Sequence, residues 1–492
     1  MATAKYLALD LGAESGRGVV GAFDGERLTM EEVHRFLNSP VRAGNTLYWD
    51  SLRLFSELQT AVKAAAQRGA LASIGIDAWG VDFGLLGRND ELLSNPRHYR
   101  DHGNDGIMEE AFAIVPRTEI YDRTGIQFIQ FNTIFQLLAL LRQNSPALEH
   151  ARTLLHTPDL LNFWFTGEKR SEFSIASTGA MIDPRTHEWT TDLLQRFGLP
   201  THFLADIIEP GETVGTVRPY LAEELGCGAI PVIAPAEHDT GSAIVAVPAE
   251  TADYAYLSSG TWSLLGIETQ EPVINAETLA ANFTNEGGAK HTIRLLKNVM
   301  GLWLVQECRR VWAKQGNALD YAELARLAAE APAFAALIDP DAPEFFAPDS
   351  MPDAIRDYCQ RTGQTAPESV GATVRCCLES LALKYRWCLE KLEGFRGKPI
   401  STLHIVGGGT QNELLCQFAA DATRRTVVAG PVEATAIGNL LMQMMGTGEI
   451  ADLEQARAIV RRSFAPKLYT PSANAEQWNE IYQGRFLSLL NL

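Results

Sequence analysis

Short apolar runs and longer amphipathic stretches alternate along this chain, and their spacing predicts an α/β fold. Apolar runs at residues 6–11, 230–233 and 402–406 predict buried strands, because each is followed within two residues by Gly or Pro. The last run continues into a helical pattern, a further strand at residues 426–428 and a helix at residues 434–445. This β-α-β-α order is typical of an α/β domain.

Apolar positions at helical spacing predict three further helices. One spans residues 50–68, a second spans residues 296–310, and a third is long and ends at Gly394. Residues 318–367, which are rich in Ala, Pro and acidic side chains, are expected at the surface. Residues 183–217 are expected to form peripheral loops and short helices without visible chemistry. The apolar face predicted for the first of these helices consists of Leu52, Phe55, Leu58, Val62 and Ala65.

Residues 6–21 and residues 254–266 share a pattern of strand, small-residue turn and strand. Each predicts a β-hairpin whose tip presents backbone N–H groups and a hydroxyl, which suits a phosphate group. A glycine-rich hairpin alone is also compatible with a plain turn, but the pair predicts duplicated domains that face each other. In the first hairpin, Asp10 could hold hydrated Mg²⁺ and Arg17 could pair with phosphate oxygens. No helix follows this hairpin directly, and the P-loop pattern is absent from the chain.

The residues that follow the strand at 230–233 carry the strongest candidate chemistry. His238, Asp239 and Thr240 come after Pro235 and ahead of small residues, at the mouth of a buried strand. Polar side chains in such a place are costly unless they are paired or used. An isolated His-Asp pair at a strand end is often structural. The functional alternative makes Asp239 a general base in a cleft between two halves of the molecule.

Two other segments allow both a structural and a functional interpretation. Trp79 and Asp82 would form a sugar platform if the indole packs on C–H groups while the carboxylate accepts hydroxyl donors. The alternative is a core tryptophan and a solvated aspartate. Gly407–Gly409, between a strand and a helix, would let a base or a phosphate approach the backbone, or would only form a tight turn.

Composition limits the function classes. A chain of 492 residues, of which 46% are hydrophobic and 21% charged, is expected to form two globular domains. Its net charge of −18 argues against nucleic acid and anionic membranes as partners. A polyphosphate ligand would therefore need local positive potential from a metal ion, backbone N–H groups or an arginine. No apolar run approaches the roughly 18 residues of a membrane span, and the N-terminus lacks signal-peptide features.

Seven cysteines are scattered through the chain. No C-x-x-C pair is present, which argues against a zinc site. An odd count without a secretion signal predicts reduced thiols and a cytoplasmic protein. Whether Cys359 and Cys376 form a disulfide is left open, because pairing requires the loop between them to fold back.

A series of motifs, spread over nearly the whole chain, resembles those of the FGGY carbohydrate kinases. The two hairpins and the triple-glycine segment look like the first phosphate, second phosphate and adenosine motifs of that family. The resemblance rests on D-L-G-A-E-S-G-R (10–17), G-I-D-A-W-G-V-D-F (75–83), H-D-T (238–240), Y-L-S-S-G-T-W-S (256–263), T-N-E-G-G-A (284–289), L-K-N-V-M-G-L-W-L (296–304), H-I-V-G-G-G-T-Q-N (404–412) and G-P-V-E-A-T (430–435).

This resemblance implies an α/β fold of two actin-like, ribonuclease H-like domains around a central cleft. Residues 1–243 would carry the sugar site, the first phosphate motif and the base, and residues 244–492 the second phosphate and adenosine motifs. It implies an enzyme that uses ATP and Mg²⁺, as a cytoplasmic monomer or small homo-oligomer. The chain most resembles members that phosphorylate L-rhamnulose on its C1 hydroxyl in L-rhamnose catabolism. A kinase for another ketose, such as L-fuculose or D-xylulose, and a non-catalytic actin-like nucleotide switch are the alternatives.

The resemblance also implies a role for each matched residue. Asp239 would be the catalytic base, and Asp10 would approach the metal ion through water. Glu14 departs from the small residue expected in the first phosphate motif, so its side chain is expected to point outward or to reach the metal through water. The residues expected to bind ATP are Ala13, Glu14, Ser15, Gly16, Arg17, Thr261, Asn298, Gln306 and Gly408. Those expected to bind the sugar are Gly80, His238, Asp239 and Thr240.

Overall fold

The computed structural model describes residues 3–490 and divides the chain into two compact units. Each unit is assembled from three separate stretches of sequence. The first unit consists of Met1–Pro248, Glu268–Leu295 and Ala434–Phe464, and the second of Ala249–Ile267, Leu296–Glu433 and Ala465–Leu492.

Strands and helices alternate through most of the chain. The strands are β1 Ala4–Leu11, β2 Ser15–Phe23, β3 Leu28–Leu37, β4 Val41–Ala43, β5 Thr46–Tyr48, β6 Ser73–Ala78, β7 Phe83–Leu86, β8 Thr153–His156, β9 Arg170–Glu172, β10 Ile182–Asp183, β11 Glu188–Trp189, β12 Asp206–Ile208, β13 Thr213–Thr216, β14 Pro231–Ile233, β15 Tyr254–Ser259, β16 Trp262–Thr269, β17 Thr284–Gly287, β18 Ile293–Met300, β19 Thr402–Val406, β20 Thr426–Ala429 and β21 Lys467–Tyr469. The helices are α1 Ser51–Ala66, α2 Ile107–Ile114, α3 Arg117–Thr124, α4 Thr133–Arg142, α5 Pro146–His150, α6 Thr157–Thr166, α7 Phe173–Ser177, α8 Thr191–Arg196, α9 Pro219–Leu225, α10 Asp239–Val245, α11 Ala276–Ala280, α12 Trp303–Lys314, α13 Tyr321–Glu330, α14 Met351–Arg361, α15 Val370–Arg396, α16 Glu413–Thr423, α17 Ala434–Gly446, α18 Leu453–Ser463, α19 Ala475–Ile481 and α20 Leu487–Leu489.

The main sheet of the first unit has the strand order β13-β14-β6-β1-β2-β3. Its three middle strands β14, β6 and β1 run parallel, and β13 and β2 run antiparallel to their neighbours. Helix α1 packs on β2 and β3, and helix α17 packs on β1 and β6. Every residue of β6, including Ser73 and Asp77, is buried in this sheet.

The sheet strands of the second unit repeat that arrangement. They follow one another in the order β16-β15-β19-β20-β21. The strands β15, β19 and β20 run parallel, whereas β16 and β21 are antiparallel to their neighbours. Both predicted hairpins and the predicted strands near residues 402 and 426 are therefore confirmed.

Four expectations for the helical regions need correction. The helix that begins after Asp50 is confirmed, and Leu58, Val62 and Ala65 of its predicted face are buried. Leu52 is 61% exposed, however, and Leu54 and Ala61 are buried in addition. Residues 296–300 belong to strand β18, and the helix starts only at Trp303. The apolar L-L-x-x-V-M run fits a buried strand as well as a helix.

The third predicted helix and the Ala-rich region also differ from expectation. Helix α15 continues past Gly394 and ends at Gly397, whose φ of 68° provides the left-handed C-cap. Residues 318–367 are not only surface, since they contain helices α13 and α14. Their buried side chains include Leu324, Leu337 and Ile355.

The seven cysteines are free thiols, and all except Cys227 are buried. Cys359 and Cys376 lie close enough for one thiol to affect the other, which lowers the pKa of Cys359. The structure therefore brings these two residues together without joining them in a disulfide. Among the helices within residues 3–490, none combines the length and the apolar character that crossing a bilayer requires.

Candidate active site

Three parallel strands of the first unit end at the same edge of their sheet. Asp10 is the penultimate residue of β1, and His238 bridges Ala78 at the end of β6. The Ala78 N–H donates to the Glu237 carbonyl at 2.9 Å, which ties the segment after β14 to the end of β6. The candidate residues of this unit therefore share the edge at which open α/β sheets bind their ligands.

The tip of the first hairpin is held by local hydrogen bonds. The Gly12 N–H donates to the Ser15 carbonyl at 2.9 Å, which closes the turn. Asn38 braces the turn from β3's end, because its N–H donates to the Glu14 carbonyl and its Nδ2 donates to the Gly12 carbonyl, both at 2.9 Å. The Glu14 side chain is exposed, while Ala13 is half-buried.

Arg17 is paired inside the hairpin. It lies opposite Asp10 across the strand pair, and its Nε and Nη2 donate to the Asp10 Oδ2 at 2.9 and 2.7 Å. Asp10 is only 7% exposed, so this charge-assisted pair is largely screened from water. Packing explains the glycine at position 16, because a Cβ there would lie 2.2 Å from the Phe36 ring.

Asp239 is the first residue of helix α10, and its carboxylate is oriented by the next residue. Its Oδ1 accepts from the Thr240 N–H at 2.5 Å and from the Thr240 hydroxyl at 3.2 Å. The side chain keeps 30% of its surface exposed. Burial raises the pKa of Asp239, the nearby His238 opposes that shift, and the charge of Asp10 adds to it. The carboxyl groups of Asp10 and Asp239 are thus electrostatic neighbours.

A third carboxyl group lies beneath these two. Asp77, paired with Asp10 in the parallel register of β1 and β6, is fully buried and accepts from the Asn439 Nδ2 at 2.6 Å. Burial raises the pKa of Asp77 well above its usual range, and the Asp10 charge raises it further. The edge therefore concentrates negative potential, which a bound cation would relieve.

His238 is held by an arginine and a glutamate from the β17–β18 segment. Arg294, which has 1% of its side chain exposed, places Nη2 3.0 Å from the His238 Nδ1 and 3.3 Å from the Glu286 Oε2. The same Nδ1 lies 3.2 Å from the Glu286 Oε2, and the Nε2 faces the Asp239 Oδ1 at 3.5 Å.

The main chain of this segment is anchored by a buried glutamate. The His238 N–H donates to the Ser174 Oγ at 3.2 Å, and that hydroxyl donates to the Glu172 Oε2 at 2.6 Å. The same carboxyl oxygen accepts the Glu237 N–H at 3.1 Å. Burial raises the pKa of Glu172 to about 8 despite these bonds.

Three of these supporting residues were not predicted from the sequence: Glu172, Glu286 and Arg294. A signal was present for Arg294, because a lone arginine inside the apolar I-R-L-L run of β18 needs a buried partner. Glu172 has local partners as the N-cap of α7, where it accepts the N–H groups of Ser174 and Ile175, but its bond to the Glu237 N–H is long-range. The contact of Glu286 with His238 is also long-range.

Gly80 precedes a residue with unusual backbone geometry. Val81 has a φ of 69°, a left-handed conformation that a β-branched residue adopts at a cost. Its N–H donates to the Thr178 Oγ1 at 3.0 Å, and its carbonyl accepts from the Thr133 hydroxyl at 2.7 Å. A Cβ at Gly80 would lie 3.1 Å from the same Thr178 Oγ1, so the turn is tightly enclosed on that side.

The interpretation of Trp79 and Asp82 as a sugar platform is wrong for the carboxylate. Asp82 is fully buried, and burial raises its pKa to about 7. Its Oδ2 accepts from the Trp49 and Trp79 indoles at 2.5 and 3.0 Å, and its Oδ1 accepts from the Gln136 Nε2 at 3.0 Å. Because protein groups donate to both of its oxygens, Asp82 has a structural role. Trp79 is 6% exposed and therefore belongs to the core.

In the second unit, Thr261 lies at the tip of the β15–β16 hairpin. The Gly260 N–H donates to the Trp262 carbonyl at 2.9 Å and closes the turn. The carbonyls of Gly260 and Thr261 accept the N–H groups of Leu302 and Trp303 at 3.1 Å, which fixes the start of helix α12 against the tip. The Thr261 side chain is half-buried.

The other candidates of the second unit lie on β18, on α12 and after β19. Asn298 and Gln306 are both half-buried, on the strand and on the helix respectively. In the triple-glycine turn, a Cβ at Gly409 would lie 2.0 Å from the Ser259 Oγ, whereas a Cβ at Gly408 would meet no atom within 4 Å. Packing therefore explains Gly409, while Gly408 is exposed and leaves room for a ligand.

Each unit gathers its own candidates. In the first, Asp10, Arg17, His238, Asp239 and Thr240 form one connected cluster of hydrogen bonds and charges. In the second, the hairpin tip with Thr261 and the triple-glycine turn meet through Ser259, and β18, which carries Asn298, lies next to β16 of that hairpin in the sheet.

Comparison with family models and known proteins agrees with this picture. The model of the N-terminal domain of the FGGY family of carbohydrate kinases matches residues 5–246, and that of the C-terminal domain matches residues 255–447. A rhamnulokinase of Bacteroides thetaiotaomicron is 47% identical, and the match covers 97% of this chain and 98% of that protein. A rhamnulokinase of Oceanobacillus iheyensis is 42% identical, with 94% and 97% covered.

Solved structures match the fold over its full length. A gluconate kinase from Lactobacillus acidophilus superposes with a TM-score of 0.80 at 17% identity, covering 100% of this chain and 97% of that one. The two-domain sugar kinase fold expected from the motifs is therefore confirmed. Both family models and the full-length relatives lead to the same conclusion: the chain belongs to the FGGY family of carbohydrate kinases.

Proposed function

We propose that this carbohydrate kinase transfers the γ-phosphoryl group of ATP to the C1 hydroxyl of L-rhamnulose, giving L-rhamnulose 1-phosphate and ADP in L-rhamnose catabolism. The observation that carries the proposal is the Asp239 carboxylate, partly exposed, oriented by Thr240 and next to Asp10 at the ligand-binding edge of the first sheet. The substrate follows the relatives named rhamnulokinase that match this chain over almost its whole length.

Asp239 is proposed to act as the general base. Its ionised carboxylate accepts the proton of the sugar hydroxyl as that oxygen attacks phosphorus. Burial raises its pKa, and a higher pKa makes the carboxylate a better proton acceptor as long as it stays ionised at the working pH. The bonds from Thr240 fix one oxygen, Oδ1, and thereby orient the other.

His238 and Thr240 are proposed to shape the sugar site with Gly80. The imidazole ring is held by the buried Arg294 and by Glu286, so its Nε2 has a fixed position at the site. Thr240 is only 4% exposed and bonds to Asp239, so its contribution is to position the base. The Gly80 turn is held by Thr178 in a backbone conformation that is unfavourable for Val81, as often found at functional sites.

ATP is proposed to bind through the hairpin tips and the triple-glycine turn. Backbone N–H groups of Ala13–Gly16 and the Thr261 hydroxyl suit phosphate oxygens. Arg17 is paired with Asp10, so its charge contributes by holding that carboxylate in place.

Gly408 is proposed to lie next to the adenine base of ATP. It is exposed, and a Cβ at this position would have no neighbour within 4 Å, which leaves room for the ring. The exposed Glu14 fits the expectation that it points outward. Asn298 and Gln306 remain predicted ATP contacts.

The carboxyl groups at the sheet edge fit a magnesium ion. Mg²⁺ binds oxygen ligands and keeps several waters, and Asp10 is placed to hold such a hydrated ion through water. The raised pKa values of Asp77 and Asp239 both include repulsion from Asp10, which a divalent cation would offset. When bound, Mg²⁺ would neutralise the charge of the phosphate oxygens.

A panel of ketoses tests the substrate. Release of ADP would be measured with Mg²⁺ and ATP for L-rhamnulose, L-fuculose and D-xylulose. We expect kcat/KM for L-rhamnulose to exceed the others by at least about tenfold, roughly 1.4 kcal/mol of transition-state binding. Equal or higher values for another ketose would reject L-rhamnulose as the substrate while keeping the kinase assignment.

A cytoplasmic location and a monomeric or small homo-oligomeric state remain our predictions. Free thiols at all seven cysteines support a reducing compartment. Fractionation of the native host's cells, followed by size measurement of the purified protein, would check both.

A further inference from the structure

A second polar cluster lies in the region for which the sequence showed no chemistry. His187 ends the turn between β10 and β11, Glu209 follows β12, and His291 lies in the turn between β17 and β18. One ligand atom from each of these three residues lies within 4.8 Å of the other two. All three belong to the first unit.

We propose that His187, Glu209 and His291 form a binding site for a divalent transition-metal ion such as Zn²⁺. Two imidazoles and one carboxylate are a donor set that zinc uses in proteins, with water in the fourth position. The three side chains carry one negative charge when both imidazoles are neutral, so a dication is attracted. The site goes beyond the proposed kinase reaction and does not depend on it.

The distances between the three side chains are close to those of a metal site. The His187 Nδ1 lies 2.6 Å from the Glu209 Oε1, and the His291 Nδ1 lies 3.6 Å from the Glu209 Oε2. Bonds of about 2.0–2.2 Å to a tetrahedral ion would place ligand atoms about 3.3–3.6 Å apart. The pair at 3.6 Å already has that spacing, the pair at 2.6 Å would have to move apart, and His291, at 72% exposure, has room to adjust.

The glutamate offers an oxygen that is available for a metal. The Glu209 Oε2 is buried and accepts no hydrogen bond from any residue in the described range 3–490. Buried carboxylate oxygens normally have a partner, so this one calls for an explanation. A metal ion bound by both carboxylate oxygens, or by Oε2 alone, would be that missing partner.

The main chain of both histidines adopts an unfavourable conformation. The φ angles of His187 and His291 are 58° and 60°, in the left-handed region that few residues other than glycine adopt. The His187 ring is also stacked on the Phe173 ring, with centroids 3.7 Å apart and an angle of 12° between the planes. Unfavourable backbone geometry that recurs at two residues of one cluster is typical of functional sites.

The site would brace the segments that hold His238. Phe173 precedes Ser174, whose hydroxyl accepts the His238 N–H. His291 lies in the turn whose two flanking strands carry Glu286 and Arg294, the partners of the His238 ring. A bound ion is therefore expected to stabilise this part of the first unit.

Calorimetric titration of the full-length, chelator-treated protein with Zn²⁺ tests the proposal. We expect one ion per chain, and at least tenfold weaker binding in His291→Asn, His187→Asn and Glu209→Gln. Asparagine is chosen because it tolerates the left-handed backbone better than alanine does. The wild-type melting temperature should rise with Zn²⁺, and that rise should shrink in each variant.

His102→Asn is the matched control. It removes an exposed histidine whose Nδ1 lies 3.0 Å from the Asp105 Oδ2, a His–carboxylate pair that belongs to no three-ligand cluster found within residues 3–490. Zn²⁺ affinity within threefold of the wild type is expected for this variant.

The proposal fails if the three site variants bind Zn²⁺ as tightly as the wild type, or if His102→Asn loses as much affinity as they do. The cluster would then be a set of ordinary surface ion pairs. Should His187→Asn misfold because it loses the Phe173 stack, His291→Asn, at an exposed turn, decides alone.

Discussion

The two sheets share one topology but differ in what their parallel strands carry at the carboxyl ends. In the first unit the order β2-β1-β6-β14-β13 has the same strand directions as β16-β15-β19-β20-β21 in the second. The similar hairpins near residues 6 and 254 thus belong to matching positions in two sheets. This correspondence supports the duplication that the sequence predicts.

The chemistry at those ends is not duplicated. The first sheet carries carboxyl groups, with Asp10 on β1, Asp77 on β6 and Asp239 after β14. The second carries Ser259 at the end of β15 and glycines after β19 and β20. Neutral ends allow close approach by a ligand, whereas charged ends can move protons and attract cations. We therefore propose that one topology hosts a chemical edge in the first unit and a binding edge in the second.

The largest expected effect is that of Asp239→Asn. Removal of the proposed base should lower kcat by roughly 10²–10⁴-fold, while ATP still binds, because the amide cannot accept the proton. Steady-state kinetics with L-rhamnulose and nucleotide titration would measure both. A variant that keeps more than about a tenth of the wild-type kcat, a loss under roughly 1.4 kcal/mol, removes Asp239 from this role.

Asp206→Asn is a suitable control for that substitution. It changes an exposed aspartate of the same unit, whose side chain pairs with Arg170 at 2.9 Å. Surface pairs of this kind contribute about 0–1 kcal/mol, so kcat should not change. Loss of activity in both variants would point to a general effect of charge.

The second-largest effect concerns the glycines of the neutral edge. In Gly409→Ala the new Cβ would lie 2.0 Å from the Ser259 Oγ and 2.9 Å from its carbonyl oxygen. The strain should lower the free energy of unfolding by about 1–3 kcal/mol, measured by urea denaturation.

Gly408→Ala separates packing from binding at the same turn. Because its Cβ would point into open space, the free energy of unfolding should change by less than about 0.5 kcal/mol. The KM for ATP should nevertheless rise if this glycine faces the nucleotide. A stable variant with unchanged KM would leave Gly408 without a role at the binding edge.

The sequence predicts locally encoded features well and distant partners poorly. Both hairpins, the strand before His238 and the triple-glycine turn follow from short runs and their bounding residues. The helix predicted at residues 296–310 fails at its start because residues 296–300 are apolar enough for either element, and only pairing within a sheet makes them a strand. Long-range context decides such segments.

The same limit applies to the site. Asp239 and Thr240 are neighbours in sequence, so their link was foreseeable. Arg294 meets His238 from 56 residues away, and no local pattern contains that contact. The carboxylate of Asp82 was misassigned for the same reason, since Trp49 and Gln136 reach it from distant segments.

A pH profile gives a smaller effect that belongs to the charged edge alone. The pKa of Asp239 is raised, mainly by burial, and the base works only when it is ionised. Activity should therefore be present above this raised pKa and should fall as the pH drops through it, at a pH above that expected for an ordinary aspartate. The acidic limb of kcat/KM for the sugar would show it, and a limb at the ordinary position would contradict a base with a raised pKa.

The smallest effect is expected for Thr261→Val at the tip of the second hairpin. Valine keeps the shape of threonine and leaves the Thr261 carbonyl, which accepts the Trp303 N–H at 3.1 Å, in place. Only the hydroxyl is lost, so the KM for ATP should rise by about five- to tenfold, the worth of one hydrogen bond of roughly 1–1.4 kcal/mol. The acidic limb of the pH profile should stay where it is, since no carboxyl group of the first edge has changed. A shift of that limb would mean that the two edges are coupled chemically, and the division between a chemical and a binding edge would have to be abandoned.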